Sequence, residues 1–245
     1  MKILFISDIH ANFPALEAVW KKENDCDLIL CTGDLVDWGF YPSEVLDWMK
    51  AHNVISVAGN HDHDIIDWYH QRNNTHVELE GTIARQNLEH LTPEHIAYLE
   101  SLPDERTVCV DNFAFYLKHF YTEAENNRNA LLERWIRYES KMVFDEIWPT
   151  DLCAKNKVIV TGHSHQCYLY QTYQGAFFLN PGSVSYRVCS DSRAKGADYA
   201  VLQDGEFRLR HVDYDRQVFV PVIEQMPLHD HVRDAVSYHL IKELP

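Results

Sequence analysis

The feature that most constrains the fold is a repeated ending. Strand-like stretches at Ile3 to Ile6, Asp27 to Cys31 and Asn53 to Val57 each stop at polar side chains. The first stops at Asp8-Ile9-His10, the second at Gly33-Asp34, the third at Gly59-Asn60-His61-Asp62. Short apolar runs rich in branched residues, bounded by turn signals, read as buried strands. Between them lie two helical patterns. One is capped by Asn12, carries Pro14 in its first turn and runs to about Asn24; the other runs from Ser43 to about Ala51. Strand, helix, strand, helix, strand predicts a mostly parallel sheet. Ligands of such sheets bind outside the carboxyl ends of the strands. Residues two apart on a strand face the same side, so Asp8 and His10 leave the first strand together, a pair suited to a divalent metal.

The pattern then turns helical and polar from His63 to about Leu102, with Thr92-Pro93 as a helix start. A hairpin is predicted over Arg106 to Val110 and Phe113 to Lys118, ending at His119. Helices are predicted over Glu123 to Tyr138 and Val143 to Trp148. Lys157 to Thr161 is a further buried strand and runs into Gly162-His163-Ser164-His165. Strands follow at Tyr168 to Tyr173 and Ala176 to Leu179, then the turn Asn180-Pro181-Gly182-Ser183. A closing hairpin is expected over Tyr199 to Gln203 and Glu206 to Val212. One domain over 1–245 is expected, with helical insertions at about 63–102 and 121–149 and a peripheral helix at about 231–244.

The formal net charge is −15. An acidic surface repels the phosphates of long nucleic acids, which call for clustered Lys and Arg. It leaves small phosphorylated substrates open, because bound cations reverse the local field. No apolar run approaches the roughly 20 residues needed to span a bilayer, and no signal-like segment opens the chain. The cysteines are scattered without a C-x-x-C pair, which favours reduced thiols. A cytoplasmic protein without a membrane partner is expected; the sequence is silent on oligomeric state.

Asp8 and His10, Asp34, Asn60 and His61, His119, and His163 and His165 all fall at predicted strand ends. Their order and spacing resemble the calcineurin-like metallophosphoesterase superfamily, whose signature is D-x-H, G-D, G-N-H-[DE], H and G-H-x-H. The stretch Leu179 to Val184 is similar to the compact bacterial and archaeal phosphodiesterase-type members. The resemblance implies an α/β fold, a four-layer α/β/β/α sandwich of two facing mixed sheets. It implies two divalent transition metal ions, among Mn, Fe, Zn, Co and Ni. Asp8, His10, Asp34 and His165 would hold the first, and Asp34, Asn60, His119 and His163 the second, with Asp34 bridging. Metals about 3.5–4 Å apart can share a hydroxide that attacks phosphorus in line. His61 would hydrogen-bond a phosphoryl oxygen or protonate the leaving group, and Asp37 would fix its tautomer. Asn60, His61 and Arg187 would contact substrate.

The expected reaction is hydrolysis of a phosphodiester or phosphomonoester, with a small nucleotide-like substrate. A phosphoprotein phosphatase, a dinucleoside polyphosphate hydrolase and a non-catalytic metal-binding scaffold stay open as alternatives. Against the first, Trp38 and Ala58 stand where Ser/Thr phosphatases carry phosphate-clamping arginines; Arg187 and Arg193 are candidate substitutes. Phe120 follows His119 where many relatives have glycine. The aromatics Trp38, Tyr41, Trp68 and Tyr69 are explained either by core packing or by a wall on which a nucleotide base stacks.

Overall fold

A computed structural model describes residues 1–71, 81–119, 155–171, 175–186 and 196–241. The predicted helices at 123–138 and 143–148, together with Phe120, Arg187 and Arg193, lie outside the described residues. Among the described residues ten strands form two mixed five-stranded sheets. The first has the order β10-β9-β1-β2-β3, built from β1 (Lys2–Ile6), β2 (Leu28–Cys31), β3 (Ile55–Ser56), β9 (Ala197–Gln203) and β10 (Glu206–Val212). Its β1, β2 and β3 are parallel, while β9 runs antiparallel to both β1 and β10. The second has the order β4-β5-β6-β8-β7, from β4 (Glu105–Val110), β5 (Phe113–Lys118), β6 (Asn156–Val160), β7 (Tyr168–Gln171) and β8 (Phe177–Asn180). There β5, β6 and β8 are parallel and the two edges antiparallel.

The pleat of β1 divides its side chains between two cores. Ile3 and Phe5 join Leu30, Phe115, Leu117, Val158, Val160 and Leu179 in the layer between the sheets. The ring centroids of Phe5 and Phe115 lie 5.3 Å apart across that layer. Leu4 and Ile6 face the other way, against Leu16 and Val19 of α1 (Phe13–Glu23) and Val45, Leu46 and Met49 of α2 (Pro42–Ala51). Asn12 caps α1 as the sequence predicts, its Oδ1 accepting the Ala15 N–H at 3.1 Å. The polar stretch after β3 forms α3 (Asn60–Tyr69), α4 (Ile83–His90) and α5 (Pro93–Glu100). Thr92 caps α5 as predicted.

Several boundaries differ from the sequence reading. The strand expected over Asn53 to Val57 shrinks to two paired residues. Helix α3 begins at Asn60, so Asn60, His61 and Asp62 form a first helical turn. Asn180 belongs to β8 rather than to the turn after it. After β10, a short 3-10 turn at Gln217–Phe219 and α6 (Val220–Gln225) were not foreseen. The final helix, α7 (Asp230–Leu240), was expected at the periphery; it carries His239 onto Tyr186 and Trp38. Among the described residues no helix is long and apolar enough to cross a membrane. Among the described residues Cys26, Cys31 and Cys109 are free thiols; Cys31 is buried and Cys109 exposed.

Candidate functional site

The parallel ladder continues past the ends of β1 and β2. The Asp8 N–H donates to the Gly33 carbonyl at 3.0 Å, the His10 N–H to the Asp34 carbonyl at 2.9 Å, and the Ala11 N–H to the Leu35 carbonyl at 2.9 Å. Within these loops Asp8, His10 and Asp34 adopt φ of 51°, 49° and 54°. His163 and His165, just past β6, adopt 65° and 55°. Left-handed backbone is uncommon outside glycine and persists where the surroundings over-determine it, often at functional sites. The two sheets are joined here: the His163 N–H donates to Asp8 Oδ1 at 3.0 Å, and the Val184 N–H to the Ser7 carbonyl at 3.0 Å.

Two clusters of ligand-type side chains result: Asp8, His10 and His165 form one, and Asp34, His119 and His163 the other. A third group of His10, Asp34 and His61 links them, and in each group the ligand atoms lie within 4.8 Å of one another. His10 Nε2 lies 3.2 Å from His165 Nε2, and His165 Nε2 lies 3.3 Å from Asp8 Oδ1. Asp34 Oδ2 faces both clusters, 3.1 Å from His119 Nε2 and 3.7 Å from His10 Nε2. Asn60 Oδ1 is 2.8 Å from His163 Nδ1. Asp8, His10, Asp34, His119 and His165 are buried, while Asn60, His61 and His163 are half-buried. One rim of the cluster is therefore open to substrate.

The donor chemistry fits divalent cations. His119 Nδ1 lies 2.6 Å from the Thr32 carbonyl and His165 Nδ1 lies 2.9 Å from the Tyr186 carbonyl. A carbonyl only accepts, so each Nδ1 donates and each Nε2, the nitrogen that would offer its lone pair to a cation, is turned inward, as metal-binding histidines are commonly oriented. His165 Nε2 faces His10 Nε2 at 3.2 Å, close enough for a proton or a cation to lie between them. Asp8 Oδ2 and His10 Nδ1 are buried without a hydrogen-bond partner, and a buried carboxylate oxygen left so is costly. Burial pushes the Asp34 carboxyl up, but His119, His10 and His61 hold it well below the usual carboxylate range. His119 shows the converse: burial lowers it, yet Asp34 and Asp8 raise it to about 9. Burial and the neighbouring histidines push His10 and His163 the other way, downward, so positive charge in the cluster concentrates where Asp34 faces His119.

His61 Nδ1 lies 2.8 Å from Asp37 Oδ2, the pairing read from the sequence. Burial would lower the His61 pKa; the bond to Asp37 and the nearby Asp34 charge raise it to about 9. An imidazole held protonated at the open rim can donate to a phosphoryl or leaving-group oxygen. The His61 N–H itself donates to Asp34 Oδ1 at 2.9 Å. Gly59 makes this approach feasible, because a Cβ there would lie 2.1 Å from Asp34 Oδ1.

Several residues escaped the sequence reading. Asp62 accepts the N–H groups of Asp34, Leu35, Val36 and Gly59 at 2.8–3.3 Å. Its only signal was its place in the G-N-H-[DE] motif. Ser183 Oγ donates to the Asp8 carbonyl at 2.9 Å and accepts the Ser185 and Tyr186 N–H groups. Asn180 Nδ2 donates to the Gly162 carbonyl at 2.8 Å and to Ser164 Oγ at 3.1 Å. Asn180 ends β8 and Ser183 stands in the turn after it, and the Asn-Pro-Gly-Ser pattern does not announce what either holds. Ala58 is buried and Trp38 packs against His61, so neither arginine position of the Ser/Thr phosphatases supplies a guanidinium.

Comparisons with known proteins agree with this geometry. The profile of the calcineurin-like phosphoesterase superfamily domain matches residues 1–203. An uncharacterized protein of Methanocaldococcus jannaschii is 25% identical over 232 residues, covering 87% of this chain and 88% of its own length. The crystal structure of a metallophosphoesterase from Sphaerobacter thermophilus aligns with TM-score 0.66 and 21% identity over 97% of this chain and 99% of that one. A hypothetical protein of Pyrococcus horikoshii aligns with TM-score 0.71 and 16% identity over 99% of both chains. At these identities the solved structures share the fold, the α/β sandwich of two facing mixed sheets expected from the motifs. A profile matched from the first strand through β9, on a chain whose motif side chains converge at one point, makes this protein a member of the calcineurin-like phosphoesterase superfamily.

Proposed function

We propose that the protein is a dinuclear-metal-dependent phosphoesterase that hydrolyses a small, nucleotide-like phosphodiester or phosphomonoester. Asp8, His10, Asp34 and His165 would hold one ion, and Asp34, Asn60, His119 and His163 the other. The observation that carries the reading is the position of Asp34 Oδ2, buried between the two histidine clusters. Divalent cations bound there supply Lewis-acid charge and an acidified water. The chain does the rest. His61, oriented by Asp37, donates a proton or hydrogen bond to the ester oxygens. Asn60 lies at the same open rim, within reach of a substrate phosphate. A role for Arg187 in binding substrate rests on the sequence alone. Manganese is the first metal to try, and a cytoplasmic setting agrees with the free thiols.

The test is turnover of bis(p-nitrophenyl) phosphate and p-nitrophenyl phosphate by chelated and then Mn-reloaded protein, with His61→Ala beside it. Activity restored by metal and lost in the variant is expected, and the diester-to-monoester ratio assigns the substrate class. Two bound metals without turnover of either ester, or of a nucleotide panel, would leave the metal-binding scaffold as the better reading.

A further inference from the structure

Three aromatic side chains that phosphoester chemistry does not use stand together beside His61. Trp38 meets His61 and His239 edge to face, at 6.4 and 6.0 Å between ring centroids, and Tyr186 at a tilt, at 6.4 Å. Tyr186 lies 4.8 Å from His239 and 4.5 Å from His165, and stacks on His10 at 5.6 Å. The three come from distant parts of the chain: the loop after β2, the turn after β8, and α7. Helix α7 lies beyond the stretch that matches the family profile.

Trp38 is held there against its own backbone preference. Its φ is 62°, and it is the centre of a three-residue turn closed by the Gly39 N–H donating to the Asp37 carbonyl at 2.8 Å. Three-residue turns with a positive central φ are rare and strained, and a bulky residue there is an outlier. Asn87 of α4, fully buried, spans the turn. Its Oδ1 accepts the Asp37 N–H at 3.0 Å, and its Nδ2 donates to the Gly39 carbonyl at 2.9 Å. Gly39 itself lies so close to the loop after β1 that a Cβ would come 2.1 Å from the His10 carbonyl oxygen. Trp38, Tyr186 and His239 are all only half-buried, and Tyr186 rests on the apolar cluster around Phe40 and Phe219, which fixes one side of the group.

We propose that Trp38, Tyr186 and His239 form a recognition wall for a flat ring carried by the phosphoester substrate, so that the substrate class is nucleoside or aryl phosphoesters and α7 is a specificity element. The proposal rests on the phosphoesterase reading and names its substrate. Rings of any base have a face to stack, which makes such a wall tolerant of base identity. The His239 imidazole can in addition hydrogen-bond a ring heteroatom. Asn87 acts through the turn that carries both Asp37 and Trp38 and is a positioning residue.

The experiment compares AMP with ribose 5-phosphate, which differ by the base, in calorimetric binding to Mn-loaded wild type, Trp38→Leu, His239→Ala and Tyr238→Ala. Tyr238 is the exposed neighbour on α7 and serves as control. Wild type is expected to bind AMP about tenfold more tightly, the weight of one stacked base. Trp38→Leu and His239→Ala should each bring the two ligands toward parity, while Tyr238→Ala keeps the preference. For an aryl ester, Asn87→Ala should raise KM through Trp38 and lower kcat through Asp37 and His61, whereas Trp38→Leu should raise KM alone. Equal binding of the two ligands by wild type, or a preference that survives both wall substitutions, would overturn the wall. Ester turnover without base preference overturns the wall alone; absence of both turnover and binding overturns the phosphoesterase reading with it.

Discussion

Replacing Asp62 by Asn tests whether the site is held by one buried carboxylate. Asp62 Oδ2 accepts from Asp34 and Gly59, and Oδ1 from Leu35 and Val36. An amide keeps one oxygen and turns its NH2 toward the other two N–H groups. Two hydrogen bonds to a charged acceptor are lost, at about 1.5–3 kcal/mol each. Part of that is returned. Burial and the Asp34 charge already push the Asp62 carboxyl up to about 6, and a neutral side chain no longer carries that penalty. The expected net loss is about 2–4 kcal/mol. At roughly 2–4 °C per kcal/mol for a chain of this size, the melting temperature falls by about 5–15 °C. The loosened loop carries Asp34, so metal affinity should fall about 10–100-fold, as when outer partners of ligands are removed. Thermal denaturation with and without Mn, followed by metal titration, reads both effects. A variant that melts within about 1 °C of wild type and binds metal as tightly would refute the reasoning.

Other substitutions probe neighbouring parts of the same frame. Asp34→Asn should abolish ester turnover and weaken both metal sites together; loss of one site alone, read by metal stoichiometry, would contradict the bridging role. Ser183→Ala removes the donor to the Asp8 carbonyl and the acceptor of two N–H groups, and should cost about 1–3 kcal/mol in denaturant unfolding; an unchanged midpoint would argue against it. Cys109 should react with a thiol reagent in the folded protein, whereas burial pushes the Cys31 thiol up to about 12 and shields it until unfolding. Mass mapping of the labelled thiols checks the order.

What the sequence made legible is what local chemistry encodes. An apolar run that stops at Asp or His marks a strand end, and Asn12 and Thr92 announce helix starts through cap chemistry that needs no tertiary partner. Residues whose work is done at long range were not legible. Asn87 reads as one more polar residue on a polar helix, yet it clamps a turn 48–50 positions earlier in the chain. His239 sits in an amphipathic pattern that specifies an inward face without saying what that face meets. Helix α6 carries Pro221 and only six residues, too short for a period to emerge. The two-residue β3 was overread for the opposite reason: branched residues continue past the point where pairing with β2 stops.

The left-handed residues bind these observations into one argument. Asp8, His10, Asp34, Asp37, Trp38, His163 and His165 all have φ between 49° and 67°, and a non-glycine residue in that region costs about 1–2 kcal/mol. Local preference therefore opposes the site at each of these positions, and the opposition is met by hydrogen bonds from elsewhere. The loop after β1 is tied to the loop after β2, Asp62 gathers the Asp34 loop, Ser183 holds Asp8, and Asn87 holds the Trp38 turn. Both sheets contribute, so the site exists only when the layer between them, centred on Phe5 and Phe115, is packed. The strain also agrees with the proposed place of Trp38 on a recognition wall. A tryptophan kept for burial could sit on an ordinary backbone, whereas one that served such a wall would have to follow the loop that carries Asp34 and Asp37.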